Sequence, residues 1–386
     1  MNYLFVIMFC PFFSFAQTDS IEIEIPPYKE GTNYYEPEIE PYVNWDSILL
    51  VNPNCHDCYI AKAKKEENFG TIIKYYKKAL KIVPNSFEAF NGLGEQYAWG
   101  NGKRNYITSR GYYYKALKTF KHNDIDNFAE LSGIVDDICM TYYYQFGENE
   151  SSHRKGIKVK IAIWDSLIKS YNINEYYEER ARAKRNNLIN DSKGALSDYL
   201  YIYNHGEYQN YEITWAIAAC YLDLLNYLEA LKFYNKTIGI LKEQKTESVE
   251  FLARLYSGKA ECKMKLEDYR GANEDYQISL SKFLSQKDPS TLRLLQTYTE
   301  IGRSELLLRN YENAIYFLNK AIKYDDKWMG VVNGEIVESY DLSIAYYLLG
   351  WGYYYNSKNN EACIAWSKSG DLGNKQSYKA IKENCK

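Results

Sequence analysis

Residues 346–366 read YYLLGWGYYYNSKNNEACIAW. The stretch contains the motif Y-x-x-L-G-x-x-Y, which begins at Tyr346, and the motif A-x-x-x-W, which begins at Ala362. Aromatic residues at offsets of three and four lie on one face of a helix, and a glycine such as Gly350 lets two helix axes approach closely. Polar residues between the two motifs suit a turn. The stretch therefore predicts two helices that pack against each other.

The same spacing recurs through the chain. The aromatic-x-x-apolar-Gly motif returns at Phe90 and Tyr298, and the Ala-x-x-x-aromatic motif returns at Ala230 and Ala272. This pattern resembles the tetratricopeptide repeat (TPR), whose unit is a helix–turn–helix pair. The resemblance implies an all-α fold, a right-handed α-solenoid of stacked helix pairs. It also implies a scaffold that binds a protein or peptide and has no catalytic site.

Residues in the turn between two helices mark the repeat register. They are mostly aromatic: Phe69, Tyr106, Ser192, Tyr227, Tyr269, Tyr311 and Asn359. The longest interval, before Ser192, has room for two units. It predicts a degenerate third pair with helices at Phe128–Phe146 and Arg154–Tyr171. About eight pairs are then expected in an array that covers residues 47–369.

The later repeats are longer than an ordinary TPR unit. Their spacing predicts extended helices around Leu241–Leu252 and Ser279–Leu292. The dipeptide Asp288-Pro289 is suited to be the N-cap and first residue of one of these helices. A capping helix is expected in residues 370–386, because the end units of a repeat array need a polar outer face.

The first 16 residues have the features of an export signal. Tyr3–Phe13 is an almost unbroken apolar run that is too short to span a bilayer, and SFA at 14–16 is a small-x-small cleavage sequence. Residues 1–16 are therefore predicted to be a signal peptide, so that the mature protein begins at Gln17. We expect it in a bacterial periplasm or outside the cell; an uncleaved anchor is the alternative.

Residues 17–46 form an acidic segment that contains proline. Eight acids against one lysine give it a net charge of −7: Asp19, Glu22, Glu24, Glu30, Glu36, Glu38, Glu40 and Asp46, with Lys29. One interpretation is a flexible, solvated tail. The other is an extended segment that docks on the array or on a partner. The whole chain has a net charge of only −3, so no basic field predicts binding to nucleic acid.

Cys55-His56-Asp57-Cys58 is the one sequence cluster that invites a catalytic or metal-binding interpretation. A zinc site commonly needs two such pairs, and the chain has no second C-x-x-C. A local disulfide is the first interpretation of Cys55 and Cys58, and a redox or metal-binding role is the alternative. The four histidines are scattered, and the common phosphate-binding and nucleophile motifs are missing from the sequence. We therefore expect no enzyme activity, no metal and no cofactor.

Cys363 and Cys385 are predicted to form a long-range disulfide. Cys363 lies on the second helix of the last pair, and Cys385 ends the capping helix that should fold back over it. The remaining cysteines after the signal peptide fall at apolar positions of predicted helices, where a free cysteine behaves as a small hydrophobe: Cys139, Cys220 and Cys262.

The TPR resemblance implies that the first helix of each pair lines a concave groove for the partner. The groove residues form an aromatic set of mixed charge: Asn91, Trp99, Trp215, Glu261, Arg303, Tyr347, Trp351, Tyr354 and Tyr355. The chaperone-type carboxylate clamp of some TPR domains is not expected. The first two units have Asp57, Ala61, Asn91 and Glu95 at the clamp positions.

The C-terminal half of this groove, centred on Arg303, Tyr347, Trp351 and Tyr355, is predicted to contact the partner. Two aromatic faces on one helix exceed what packing against a single neighbour requires. The competing interpretation is that half of these aromatic side chains pack between repeats. Two other functions remain open: a structural spacer subunit of an envelope assembly, and a thiol-redox protein that uses the C-x-x-C pair.

Overall fold

The computed structural model of the protein describes most of the chain. It covers residues 44–385 except 103, 123–127, 207–209, 245–247, 328–329, 333–334 and 338–339, and it describes no side chain within 325–341. The predicted signal peptide and the acidic segment up to residue 43 lie outside the described residues.

The described residues contain eighteen α-helices. A short helix, α1, covers Trp45–Val51, and a single helix, α18, covers Lys375–Asn384 at the other end. Between them lie eight consecutive pairs: α2 (His56–Lys65) with α3 (Phe69–Ile82), α4 (Phe87–Trp99) with α5 (Tyr106–Thr119), α6 (Phe128–Gln145) with α7 (Glu150–Tyr171), α8 (Asn174–Lys184) with α9 (Ser192–His205), α10 (Tyr211–Asp223) with α11 (Tyr227–Gln244), α12 (Val249–Lys265) with α13 (Tyr269–Leu284), α14 (Thr291–Leu307) with α15 (Tyr311–Ala321), and α16 (Tyr340–Tyr355) with α17 (Asn359–Asp371).

The pairs stack in chain order. Each helix packs mainly on its sequence neighbours, and first helices of adjacent pairs also touch, as α10 does with α12 and α14 does with α16. A chain in which each unit contacts only nearby units is a solenoid. The prediction of an all-α solenoid is therefore confirmed.

Pairs five to eight share one turn geometry. One residue of each turn has a positive φ between 59° and 64°: Leu225, Glu267, Arg309 and Ser357. The next backbone N–H donates to a carbonyl five residues earlier, from Asn226 to Tyr221 at 2.8 Å and from Lys358 to Tyr353 at 2.8 Å. Such a bond ends a helix in the way that a left-handed C-terminal cap does. This repeated turn gives the four pairs the same connection between their two helices.

Small residues lie where paired helices cross, as the motif predicts. A Cβ on Gly94 would come within 2.5 Å of the Tyr113 ring, and one on Gly350 would come within 2.3 Å of the Trp366 ring. Both rings are fully buried. Because a close-packed core gives such a ring little room to move, no larger residue fits at either glycine.

The third pair makes this close approach from its second helix instead. An added Cβ on Gly156 of α7 would lie 2.5 Å from the carbonyl oxygen of Cys139 on α6. In the fourth pair, Ala181 and Ala195 are both fully buried in one apolar cluster. In pair three the small residue lies on the second helix instead of the first. The aromatic-x-x-apolar-Gly motif of the first helix is therefore hard to recognise in this pair.

Two helix starts differ from the sequence predictions. Helix α14 is capped by Ser290, whose hydroxyl accepts a hydrogen bond from the Arg293 N–H at 3.5 Å. The prediction that Asp288 caps this helix is therefore wrong, and Pro289 precedes the helix. Helix α7 begins at Glu150 rather than Arg154. The Asn149 side chain caps it by accepting from the Ser152 N–H at 3.0 Å.

The predicted lengthening of the later repeats is present, since α11 to α14 have 16 to 18 residues each. An insertion between α15 and α16 was not predicted. It consists of a 3-10 helix at Ile322–Lys327 and two antiparallel strands, β1 at Gly330–Val332 and β2 at Glu335–Val337. Among the described residues, no helix is both long enough and apolar enough to cross a bilayer.

Candidate partner-binding groove

Three hollows follow one another along the first helices of pairs four to eight. The first, of about 680 Å³, lies between α8, α10 and α12. The second, of about 630 Å³, lies between α10, α12, α14 and α16. The third, of about 620 Å³, lies at the α14–α15 turn beside α16. Arg185 and Trp215 line the first two hollows and Arg303 lines the last two. The three hollows together are here named the central groove.

Helix α12 shows how the sequence separates a groove face from a core face. Arg254, Glu261 and Lys265 are spaced by seven and four residues, so they share one side of the helix, and all three line the second hollow. The core side carries apolar residues that are at most 4 % exposed: Leu252, Leu255, Ala260 and Cys262. The structure thus places Glu261 in the groove, where the sequence predicted it.

An aromatic cluster at Trp215 marks the boundary between the first two hollows. The Phe251 ring lies 5.5 Å from the Trp215 ring and 5.6 Å from the Tyr211 ring, edge to face in both cases. The Arg254 guanidinium lies over Trp215, 5.6 Å from the ring centre. These contacts hold the ring while Trp215 itself stays only partly buried. Trp215 is therefore a pre-positioned anchor of the type that dominates interface energetics.

Arg303, Trp351 and Tyr355, three of the predicted groove residues, lie together in the third hollow. The Tyr355 ring stacks on Trp351 at 5.6 Å and on Tyr311 at 5.3 Å. Tyr355 is 52 % exposed. A ladder of stacked rings with one exposed member offers a second anchor at the C-terminal end of the central groove.

Tyr347 and Tyr354 lie elsewhere. Both pack in a cluster with Trp366, Ala362 and Ala380 of α17 and α18. The Trp366 Nε1–H donates to the backbone oxygen of Tyr347 at 3.2 Å, and the Tyr354 ring lies 5.9 Å from the Trp366 ring. The sequence argument counted one neighbour for α16, whereas α18 closes the end of the solenoid and α16 is covered from both sides. These two tyrosines therefore belong to packing rather than to the central groove, whereas Trp351, whose ring lies 5.0 Å from the Trp366 ring, takes part in both.

A separate hollow of about 290 Å³ lies between α4 and α6. Its charged lining is acidic: Glu88, Glu95, Glu130 and Asp137, with Lys64. Asn91 also lines it and donates from Nδ2 to Glu95 at 3.0 Å. Trp99, which was predicted to lie in the groove, instead packs between Tyr106 and Tyr144 and donates to Asp137 at 3.2 Å.

Burial and like charges raise several carboxyl pKa values along this surface. Burial is the main cause of the raised pKa of Glu95, and the charge of Asp137 adds to it. Burial also raises the pKa of Asp137, although hydrogen bonds from Tyr113 and Trp99 partly offset the effect. The pKa of Glu261 in the central groove is raised by burial first and by Glu300 second. Each of these sites holds a negative charge less readily than water does.

The α12–α14 section of the central groove carries a surplus of positive charge. Its bases outnumber its acids: Arg254, Lys265, Arg293 and Arg303 against Glu261 and Glu300. Arg303 pairs with Glu300 at 3.1 Å. Within the described part of the chain, no carboxylate lies within 4.0 Å of the charged nitrogens of Arg254, Arg293 or Lys265. Lys265 interacts electrostatically with Glu261, so Arg254 and Arg293 are the cations of this section with the least compensation from an acid.

Sequence reasoning missed four residues that shape the central groove. Arg293 lies three residues before Gln296 on the same helical face, so the helical period could have found it. Arg185 follows the end of the degenerate α8, where the register was obscure. Phe251 and Tyr311 contribute through ring contacts across helices, which no local pattern reveals.

The described residues contain two disulfides. Cys55 and Cys58 are bonded with a Cα separation of 5.3 Å, and Cys363 and Cys385 are bonded with a Cα separation of 5.9 Å. The second bond joins α17 to the end of α18, where the sequence predicted it. Burial raises the pKa of the free thiols to about 11 or 12, which makes them poor nucleophiles: Cys139, Cys220 and Cys262. The described residues contain no group of three or more His, Cys, Asp or Glu placed to hold a metal ion.

Comparison with known proteins identifies the fold but not the function. No protein-family model matches the chain, and no curated protein matches it. Among solved structures, a signal-transduction ATPase with a TPR sensor from Pyrococcus horikoshii has a TM-score of 0.50 and 17 % identity, over 88 % of this chain and 50 % of that chain. This chain thus spans half the length of that protein.

Two bacterial TPR proteins are also similar. One from Parabacteroides merdae has a TM-score of 0.43 and 13 % identity, over 76 % of this chain and 96 % of that one. The C-terminal part of one from Cytophaga hutchinsonii has a TM-score of 0.46 and 14 % identity, over 77 % and 99 %. At such identities the likeness concerns the fold alone. The fold and its groove define the class of this protein, an α-solenoid of TPR-like helix pairs.

Proposed function

We propose that this chain is a non-catalytic scaffold that binds an extended segment of a partner protein in the central groove. The observation that carries the proposal is the continuity of the three hollows. Trp215 and Arg303 each line two of them, so one segment can run along the first helices without leaving the surface. A solenoid commonly uses such an extended concave face for binding.

Two aromatic anchors favour this surface over the rest of the molecule. Trp215, with Phe251 and Arg254, lies at one end, and Trp351, with Tyr355, lies at the other. Partly exposed Trp, Tyr and Arg side chains that are already held in place lose little conformational entropy when a partner covers them. The binding energy is therefore expected to be concentrated at the two ends of the central groove.

The proposed compartment is a bacterial periplasm or the outside of the cell. Its support is the apolar run and cleavage sequence in residues 1–16, together with two disulfides, which form and persist in oxidising compartments. Intact-mass analysis of the protein from its native host is expected to show a chain that begins at Gln17. A chain that retains Met1 would rule out cleavage.

Affinity capture from native envelope extracts, quantified by mass spectrometry, tests the function. Trp215→Ala should reduce capture of the partner at least tenfold, because losing an anchor costs about 2 kcal/mol. Tyr316→Ala is the matched control, because this tyrosine of α15 is 56 % exposed and lines none of the three hollows. If Trp215→Ala and Trp351→Ala both captured every partner as the parent does, the groove would not be the binding site. A spacer role would then be favoured.

A further inference from the structure

We propose that the central groove binds residues 34–42 of a second copy of this chain. The proposal uses the same surface as the proposed function and names one occupant of it. The α12–α14 section of the groove carries a surplus of positive charge, and among the described residues no carboxylate lies within 4.0 Å of the guanidinium of Arg254 or Arg293. A fitting occupant is therefore an extended acidic segment with an aromatic residue at each end.

Residues 34–42 have this chemistry. They read YYEPEIEPY, with tyrosine at both ends. Glu36, Glu38 and Glu40 alternate with other residues, so an extended chain would turn all three carboxylates to one side. Pro37 and Pro41 restrict the backbone of the residues that precede them, Glu36 and Glu40, which lowers the entropy lost on docking.

The length of residues 34–42 also suits the separation of the two aromatic anchors. Eight residue steps in the extended β conformation that puts the three carboxylates on one side span about 26 Å. The anchors are three first-helix steps apart, from α10 through α12 and α14 to α16, and helix axes that pack together are separated by about 8–10 Å. Three such steps cover at least about 24 Å. A fully extended segment therefore has the length needed to approach the Trp215 cluster with one tyrosine end and the Trp351–Tyr355 ladder with the other.

The segment cannot occupy the central groove of its own chain. Three residue steps separate residue 42 from Trp45, where α1 begins, and they span at most about 11 Å. Helix α10 is four first-helix steps from α2, about 32–40 Å along the stack. The hollow nearer to α1 is lined by Glu88, Glu95, Glu130 and Asp137, and it would repel an acidic segment. The occupant is therefore supplied by another copy.

This contact is heterologous, because the segment of one copy meets the groove of the next. Heterologous contacts build rings or open chains of molecules rather than a closed two-fold dimer. We therefore expect a head-to-tail assembly whose growth depends on protein concentration. We also expect it to weaken with added salt, because exposed charges are screened.

Sedimentation velocity of the purified protein across a range of concentrations tests the proposal. Concentration-dependent association is expected, and Arg254→Glu combined with Arg293→Glu should weaken it at least tenfold. Arg270→Glu is the matched control, because it reverses an exposed arginine of α13 outside the groove. Adding Glu36→Lys and Glu38→Lys to the reversed groove should restore association by swapping the charges. Melting curves of all variants check that they fold.

Three results would overturn the proposal. The first is a protein that stays monomeric at every concentration. The second is association that persists unchanged when the groove charges are reversed. The third is a cross-link between residues 34–42 and the central groove that forms in the monomer fraction, since it would place the segment in its own chain. The proposal rests on the proposed function, but none of these results would change the outcome of the capture experiment with Trp215→Ala, so its failure is distinguishable from the failure of the proposed function.

Discussion

Pairs seven and eight are held together by apolar packing at close helix crossings. A Cβ on Gly302 would come within 2.5 Å of the Leu318 side chain, and Gly350 faces Trp366 in the same way. Leu318 and Trp366 are both fully buried. Such contacts need small and large residues at fixed spacings, so they leave a readable motif in the sequence.

Pairs three and four add a network of charged groups to their apolar packing. Arg180 of α8 bonds Asp165 of α7 and Asp198 of α9, both at 2.6 Å, and Lys184 also bonds Asp198, at 3.0 Å. The Asp198 side chain is only 4 % exposed and that of Arg180 is 16 % exposed. Lys160 extends the network from α7 to α6 and α8 through Asp136 and Glu179.

The difference teaches that one solenoid geometry tolerates two kinds of helix contact. Apolar crossings favour folding through burial of surface. A buried ion network contributes little net free energy compared with an apolar replacement, but breaking one of its members is costly. The two regions should therefore respond differently to the same class of substitution.

The largest effect is expected in pair eight. Trp366→Ala should lower the free energy of unfolding by about 3–5 kcal/mol, because it removes a fully buried indole and leaves a cavity. Denaturant unfolding followed by circular dichroism measures the change. Ile364→Ala on the same helix is the control, because Ile364 is 59 % exposed and should cost little. Equal losses in the two variants would contradict the assigned packing of α17.

Removal of the covalent link in pair eight should cost somewhat less. Cys385→Ser opens the bond between α17 and the end of α18, and the chain-entropy model gives a loss of about 3 kcal/mol for a loop of this length. Thermal melts of the parent and the variant, each with and without reductant, measure it. In the variant the reductant can break only the Cys55–Cys58 bond, so any remaining change of its melting temperature on reduction should come from that bond. An unchanged melt would show that the bond is not formed.

Asp198→Ala breaks the ion network of pair four. It leaves Arg180 and Lys184 without a shared partner, and the loss should be about 2–3 kcal/mol because both cations keep some solvent contact. Replacing Asp198, Arg180 and Lys184 together by leucine should restore most of this loss. Equilibrium unfolding of the single and triple variants tests the contrast. A triple variant less stable than Asp198→Ala would show that the charges themselves hold the pair together.

The sequence predicted the fold well where contacts are local. The motif around Gly350 specifies both helices and their crossing within one unit, and the turn at Ser357 repeats in four pairs. It predicted less in pairs three and four, because the ion network joins residues of three helices with no fixed spacing. The cap of α14 was misassigned because Asp288 and Ser290 are both good caps, and only the backbone path decides between them.

The binding surface was predicted only in part. Single residues of a groove face follow from the helical period, and Trp215, Glu261, Arg303, Trp351 and Tyr355 lie in the central groove. The continuity of the hollows depends on how neighbouring pairs stack, which no local pattern contains. The aromatic stripe of α16 was divided between groove and packing by α18, whose position over α16 could not be read from α16 itself.

The smallest effect concerns the pH dependence of pair three. The pKa of Asp137 is raised above its ordinary value of about 3.9, so the folded protein binds more protons than the unfolded chain between that value and the raised pKa. The free energy of unfolding should therefore fall as pH rises through this window. Asp137→Asn removes the charge but keeps an oxygen that can accept from Trp99 and Tyr113. It should flatten this slope and stabilise the protein at neutral pH by less than about 1 kcal/mol, because the carboxylate is only partly buried.

Tyr113→Phe is the control variant. It should raise the pKa of Asp137 further, since it removes a hydrogen bond that lowers this pKa. Urea unfolding at several pH values compares the three proteins. A steeper slope in Asp137→Asn than in the parent would show that the buried carboxylate is stabilised by its donors more than it is penalised by burial.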